Sequence, residues 1–382
     1  MPSTYKVLVL IETTGTYGRS LVRGIVRYAK QHGPWIFFQE SNPDELDIKS
    51  ILKWNADGII MRDREPFHEL LSLKIPTIIS SNYLQSHPTP VVTDDEKAIS
   101  IMAAQHFLDR GFKHFAFCGQ PYFWSDIRGQ EFASYLAEQG YETHQFKKAT
   151  NSNSNNQNNL KIHSENLAKW LVSLPKPLAV FVANDHLGRN IIDSLKEYKL
   201  KIPDDVAFLG VDDDHLACEL CDPPLSSIKL NTETAGFEAA ALLDRMMKGI
   251  GEKVQNIIIK PISVVTRQSS DIYVTADPEV NAALNYIRDN VRTPIQVCDV
   301  VKAAASSRRS LFYKFKKIRR RSILAEIKRA RIEEIKRLLL ETDMSISNIS
   351  FAMGFSDASH ISRYFRQAQK IDPYTYRMLH RK

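Results

Sequence analysis

Disulfide bonding, membrane insertion and phosphate-loop chemistry are what this sequence is least equipped for. Four cysteines in 382 residues do not make a disulfide framework, and a reducing cytoplasm is the simplest compartment. No apolar run approaches the ~20 residues needed to span a bilayer. The short apolar run Val7 to Ile11 lacks a charged region before it and a small-residue cleavage site after it, so it reads as a buried strand and not as a signal peptide. The segment GTYGRS (15–20) lacks the Lys-Ser/Thr ending of a phosphate loop. Cys218 and Cys221 form a CxxC with His215 near, but no second ligand pair stands at zinc spacing. No Ser/His/Asp order suggests a nucleophile. An enzyme is therefore not expected, nor a metal or cofactor.

What is present is unevenly charged. Hydrophobic residues make up 43% and charged residues 25% of the chain, as in a soluble globular protein of two or three domains. The net charge is +7, but residues 278–382 hold 22 Lys and Arg against 10 Asp and Glu, a net of +12. The rest nets −5. A slightly acidic body with a strongly basic tail domain is the footprint of a nucleic-acid binder.

Residues 1–270 alternate short apolar runs with amphipathic stretches. KVLVLI (6–11), WIFFQE (35–40), DGIIM (57–61), TIIS (77–80), HFAFCG (114–119), LAVFVAND (178–185), VAFLGVDD (206–213) and NIIIKPISVV (256–265) read as strands. Helix patterns such as RSLVRGIVRYAKQHG lie between them. This rhythm predicts doubly wound parallel sheets covered on both faces. The Asn/Ser-rich segment 149–161 can bury little apolar surface and reads as an exposed loop. Residues 271–277 read as an interdomain linker. From Pro278 onward the pattern is helical only, beginning with an Asp-Pro cap and apolar Val280, Ala283, Leu284 and Ile287 at helical spacing.

Two short helix pairs flank one long helix in this tail. In the second pair Ile346 and Ile349 form an apolar face, and Gly354 ends the first helix because a C′ position needs a left-handed backbone. Ser356 or Asp357 caps the next helix, and Ile361, Tyr364 and Phe365 form its inner stripe. Ala358, Ser359, Ser362 and Arg363 point outward, on the face that would enter a major groove.

The stretch SISNISFAMGFSDASHISRYFRQAQKIDPYTYR (345–377) closely resembles the signature of AraC-type regulators, and the resemblance covers about the last hundred residues. It implies two recognition helices in successive major grooves, at Ser307–Lys317 and Asp357–Gln369. It aligns Arg309, Phe312 and Tyr313 with base-contact positions of the first, and Ala358, Ser359, Ser362 and Arg363 with those of the second; Ser307 and Arg308, at the start of the first, are expected to face DNA with them. Three family glycines are replaced here, by Ala305, Arg320 and Lys370. A left-handed non-glycine residue costs roughly 1 kcal/mol, so those turns are expected to be reshaped, with Arg319, Arg320 and Arg321 free to clamp phosphate.

The body, residues 5–268, resembles LacI/GalR-type sensor domains related to periplasmic sugar-binding proteins. VFVANDHLGRNIIDSLKEYKLKIPDDVAFLGVDDD (180–214), DPPLSSIKL (222–230) and WSDIRGQEF (124–132) carry the resemblance. It implies two α/β lobes joined by three crossovers, with a ligand between them. Planar bidentate groups for vicinal hydroxyls and an apolar plate are what a sugar needs. Asn184, Asp185 and Asp212 follow strands, and Arg128 and Trp124 lie on the helix after HFAFCG. The resemblance aligns Arg128, Asn184 and Asp212 with inducer-contacting positions. Tyr17 and Arg19 follow the first strand and could close over the ligand. Asp213 reads as a helix cap, as do Asp94 and Asp95. Arg128→Ala is expected to abolish the effector's stabilisation while leaving the fold intact.

The combination of this sensor with an AraC-type domain resembles bacterial xylose operon regulators over the full length. That resemblance implies a D-xylose-dependent activator of pentose catabolic genes, binding operator DNA as a homodimer and acting on RNA polymerase, in the cytoplasm and at the nucleoid. The alternatives are the same regulator class with arabinose or another sugar as effector, and a non-regulatory sugar-binding protein.

Overall fold

The alternating apolar runs fold into two six-stranded sheets. The computed structural model of the chain describes residues 4–39, 51, 53–63, 67–80, 88–146, 157–250, 256–275 and 277–380. It divides into two compact units, Met1–Asp271 and Ile272–Lys382.

In the first unit one lobe is built on β1 (Tyr5–Leu10), β2 (Trp35–Gln39), β3 (Gly58–Arg62), β4 (Thr77–Ser80), β5 (Val91–Asp94) and β11 (Ile257–Ile259). They lie side by side in the order β11-β5-β4-β3-β1-β2, all parallel. The other lobe holds β6 (His114–Cys118), β7 (Thr143–Gln145), β8 (Leu178–Val182), β9 (Val206–Val211), β10 (Ser226–Leu230) and β12 (Pro261–Val265), in the order β12-β10-β9-β8-β6-β7. Every pairing in it is parallel except that of β12 on β10. β8 and β9 are buried at every position, the pattern of strands covered on both faces.

The chain passes between the lobes three times. The first passage leaves β5 for helix Glu96–Leu108, and the second leaves β10 through helix Thr232–Met247 to β11. The third splits the run 256–265, which the sequence presents as one strand. It pairs with β5 up to Ile259 and with β10 from Pro261 onward. Helix Thr232–Met247 is held in the first lobe by close contact with helix Thr16–His32. A Cβ at Gly24 would stand 2.0 Å from the Glu233 carbonyl oxygen, and one at Gly236 would stand 2.1 Å from that of Leu21. Only glycine permits that approach.

The Asn/Ser-rich segment lies largely outside the described residues, and helix Gln157–Ser173 begins within it. Among the described residues no helix is long and apolar enough to cross a membrane.

The second unit is helical. Asp277 caps helix Pro278–Asp289 by accepting from Glu279 and Val280. Helices Val297–Ala303, Arg308–Arg319, Ile323–Glu341, Ile346–Ala352, Ala358–Gln369 and Pro373–His380 follow. The long central helix serves two cores. Its Ile323 and Ile327 pack with Leu284, Val300, Leu311 and Phe315. Its Ile335 and Leu339 pack with Ile349, Met353, Ile361 and Phe365.

Candidate functional site

Between the two lobes lies a cavity of about 590 Å³, a volume suited to a small ligand. Of the residues expected there, Tyr17, Trp124, Arg128, Asn184 and Asp212 line it. Each arrives from the end of a strand or the first turns of the helix after it. Trp124 stacks on Tyr122 with ring centroids 5.9 Å apart and planes 10° apart. Together they make a flat apolar wall.

Asp185 is a different case. It does not line the cavity; it is wholly buried. Its Oδ2 accepts the Asp214 backbone N–H at 2.7 Å. A Cβ at residue 210 would stand 2.1 Å from its Oδ1, so Gly210 makes room for it. Asn184 is the residue of that turn that faces the cavity. Its Oδ1 caps helix Asp185–Leu195 through Leu187, and its Nδ2 donates to Gln120 Oε1 at 3.0 Å. Arg19 is also absent from the lining, because it pairs with Asp214 at 2.9 Å. Asp213 pairs with Arg267 at 2.8 Å, and the cap of helix His215–Glu219 is Asp214.

Arg128 is 1% exposed. Its Nε donates to Glu96 Oε2 at 2.6 Å and its Nη2 to Asp94 Oδ2 at 3.2 Å, while Nη1 donates to the Ala183 carbonyl. Its guanidinium carbon lies 4.8 Å from the centre of the Trp124 ring. The guanidinium therefore grips the first passage between the lobes as well as facing the cavity. These buried pairs weigh against the expectation that Arg128→Ala leaves the fold intact, because the variant would strand Glu96 and Asp94.

Sequence reading missed Asp94, Glu96 and Arg62. Asp94 and Asp95 look alike in sequence, but only Asp95 caps the following helix, accepting from Ala98 at 3.0 Å. Asp94 lines the cavity, and among the described residues its buried Oδ1 has no hydrogen-bond partner. Arg62, at the end of β3, lies 4.5 Å above the Tyr17 ring. The Tyr17 hydroxyl lies 3.2 Å from Ser80 Oγ, and burial pushes its pKa up.

Asp212, Glu96 and Asp94 hold protons more tightly than free carboxylates. Burial, then the Asp94 charge, pushes Asp212 up to about 7 against the pull of Arg128 and Arg62. Burial raises Glu96 to about 7 against the pull of Arg128. Asp94 is raised by burial as well.

The second unit presents two helix-turn-helix pairs. Ser307 caps helix Arg308–Arg319 by accepting from Ser310, and Asp357 caps helix Ala358–Gln369 by accepting from His360. In the first, Ser307, Arg308, Arg309, Phe312 and Tyr313 are exposed while Leu311 and Phe315 are buried. In the second, Ser359 and Arg363 are exposed, Ala358 and Ser362 half-buried, and Ile361 and Phe365 fully buried. Ala358, Ser359, Ser362 and Arg363 share one concave face with Arg366 and Gln367. The Ser362 hydroxyl donates to the Ala358 carbonyl, so its remaining hydrogen-bonding capacity faces outward as an acceptor.

The turns are not reshaped. Ala305, Arg320 and Lys370 adopt φ of +49°, +54° and +66°, the left-handed conformation that the family's glycines would take. Nor is the arginine cluster wholly free. Arg319 lies 3.7 Å above the Tyr273 ring, and both Arg319 and Arg321 approach Glu326, at 3.7 and 3.5 Å.

Arg331, on the central helix, ties the two pairs together. Its guanidinium donates to the carbonyls of Val291 and Thr293 beside the first pair and of Met353 in the turn of the second. It also lies 4.9 Å from the centre of the Phe355 ring.

Comparison with known proteins places both units. Residues 104–270 match the family model of a periplasmic binding protein-like domain, and residues 300–378 that of a helix-turn-helix domain. The xylose operon regulatory protein of Escherichia coli K12 is 28% identical over 387 residues, covering 98% of this chain and 97% of the relative. That of Haemophilus influenzae is 28% identical over 394 residues, covering 98% of each. Among solved structures, a xylose-binding transcription activator superposes over the full length of both chains with a TM-score of 0.71 at 24% identity. A transcriptional regulator in complex with cellobiose has a TM-score of 0.57 at 18% identity, covering 70% of this chain and 86% of the other. These likenesses establish the two-lobed fold.

Proposed function

We propose that this chain is a sugar-responsive, DNA-binding transcription regulator like the xylose operon regulatory proteins, with D-xylose as its effector, bound in the cleft between the lobes. The observation that carries the reading is the pairing of a full-length likeness to those regulators with a cavity whose wall joins a flat aromatic surface to convergent hydrogen-bonding groups.

In this reading the Tyr122–Trp124 wall receives the C–H face of the sugar. Asp212 and Asp94 accept from its hydroxyls, Arg128 and Arg62 donate, and Asn184 and Tyr17 complete the ring of contacts. Asp185 supports the turn that presents Asn184. Among the described residues six acids line the cavity, Glu12, Asp94, Asp95, Glu96, Glu131 and Asp212, against the cations of Arg62, Lys97 and Arg128. That balance suits a neutral sugar and opposes a phosphorylated one.

Operator recognition falls to Arg308, Arg309, Phe312 and Tyr313, capped by Ser307, in one groove, and to Ala358, Ser359, Ser362 and Arg363 in the next. Ligand closure of the lobes shifts a population towards the arrangement in which paired DNA-binding units of a homodimer span adjacent half-sites and engage RNA polymerase. This requires different ligand affinity in the two arrangements. The protein acts in the cytoplasm, at the nucleoid. Thermal-shift screening against pentoses, hexoses and their phosphates tests the reading: D-xylose should stabilise the chain and D-xylose phosphates should not.

A further inference from the structure

We propose that Asp214 is a latch between the two lobes, setting how far the cleft is closed before any effector arrives. It belongs to the second lobe, just after β9, and its side chain is 3% exposed. Its Oδ1 accepts from Ala217 at 3.0 Å, capping its own short helix. Its Oδ2 reaches across to the first lobe. There it accepts the backbone N–H of Thr16 at 2.7 Å and the Nη2 of Arg19 at 2.9 Å. One carboxylate thus serves helices of both lobes.

The electrostatics favour the bridge. Thr16 opens a 17-residue helix with no side-chain cap of its own, so the Asp214 anion meets unpaired N–H groups and the positive end of the helix dipole. Arg19 is prepared for it, being braced on the carbonyls of Thr13 and Thr14 and on Thr16 Oγ1. Burial alone would raise the Asp214 pKa, but the Ala217 and Thr16 bonds hold it below the usual carboxylate range. His186 Nε2 lies 3.8 Å from the same Oδ2.

The latch is also wired to the cleft. The Asp214 N–H is held by buried Asp185, whose neighbour Asn184 lines the cavity. Asp212, two residues before the latch, lines it too, and Asp212 and Asp213 take φ of +102° and +50° to turn the chain between the two tasks. Asp185 is thereby a positioning residue for the latch. Opening the lobes must break the Thr16 and Arg19 bonds. Effector affinity therefore carries the latch energy although Asp214 is not among the cavity-lining residues.

The test uses the full chain and the variants Asp214→Asn, Arg19→Gln and their combination. Asparagine keeps the cap on Ala217 and removes the charge. Without ligand, hydrogen–deuterium exchange at peptides covering Thr16 in the first lobe should accelerate about tenfold in Asp214→Asn, while residues 278–380 stay unchanged. A purely local capping role, which asparagine preserves, would leave exchange at Thr16 at the wild-type rate, and that result would overturn the latch. Calorimetric titration with D-xylose should then show a Kd raised about tenfold in each single variant, with the double variant no weaker than the worse single. Unchanged affinity in Asp214→Asn would also overturn it. The inference rests on the cleft reading only for this second arm. If D-xylose fails to bind even the wild type, the effector assignment fails and the exchange arm still decides the latch.

Discussion

Arg128 and Glu96 share a buried hydrogen-bonded ion pair, Nε to Oε2 at 2.6 Å, although 32 residues separate them. Glu96 begins the helix that follows the first passage between the lobes, and Arg128 lies on the helix packed beside it. The pair thus fastens the hinge of the sensor and at the same time forms part of the cavity wall.

Arg128→Ala should therefore do two things at once. It should remove effector binding, and it should destabilise the chain by about 3–5 kcal/mol because Glu96 and Asp94 are left as buried, unpaired carboxylates. Chemical denaturation of the free protein separates the effects. Wild-type stability in Arg128→Ala would mean that the pairs contribute nothing. Asn184→Ala and Asp212→Ala are the cleaner probes of ligand contact.

The raised acids make the sensor sensitive to pH. Asp212 titrates at about 7 in the folded chain, above its ordinary value of 3.8. Between those two values the folded state holds a proton that the unfolded state has released, so stability falls as pH rises through this window and is level above it. Melting temperature should drop between pH 5 and 7.5 more steeply in the wild type than in Asp212→Asn. Parallel curves would show that Asp212 does not titrate there. Since sugar hydroxyls donate best to the ionised carboxylate, D-xylose affinity should rise over the same window.

Arg363 is exposed on the outward face of helix Ala358–Gln369. Arg363→Ala should weaken operator binding by roughly 1–3 kcal/mol and relax base preference at one position. Competition assays on an operator and its single-base variants decide this. An equal loss on every sequence would make Arg363 a phosphate contact instead.

Lys370 holds φ +66° where it follows helix Ala358–Gln369. Lys370→Gly should relieve that strain and stabilise the helical unit by about 1 kcal/mol, offset in part by glycine's larger entropy loss. A melting temperature raised by a few degrees is the expected reading, and a lowered one would show that the turn needs the lysine side chain more than it needs backbone freedom.

Much of this architecture is legible in the sequence, for definite reasons. The runs that become β8 and β9 are continuously apolar because those strands are covered on both faces. Gly354, at φ +69°, ends its helix as its position before Phe355 suggests, and Asp357 caps the next. What stayed hidden depends on contacts distant in sequence. Asp94 and Asp95 are adjacent acids, and only the arrival of Arg128 across the lobe boundary distinguishes a cavity residue from a cap. Asp185 follows Asn184, yet one points to solid interior and the other to the cavity. The run 256–265 is one apolar segment in sequence and two strands of different sheets in space, divided at Lys260 just before Pro261. The three left-handed turns follow the same logic in reverse. Local preference argues against Ala305, Arg320 and Lys370 there, and the folded chain takes the left-handed conformation at all three nonetheless.

The central claim is that a neutral pentose in the cleft governs operator binding by this chain. It is tested most directly by measuring operator affinity of the full chain with and without saturating D-xylose, for the wild type and for Asp212→Ala. D-xylose should change the wild-type affinity at least tenfold and leave that of Asp212→Ala unchanged. Equal operator affinity with and without D-xylose in the wild type, or an undiminished response in Asp212→Ala, would contradict it.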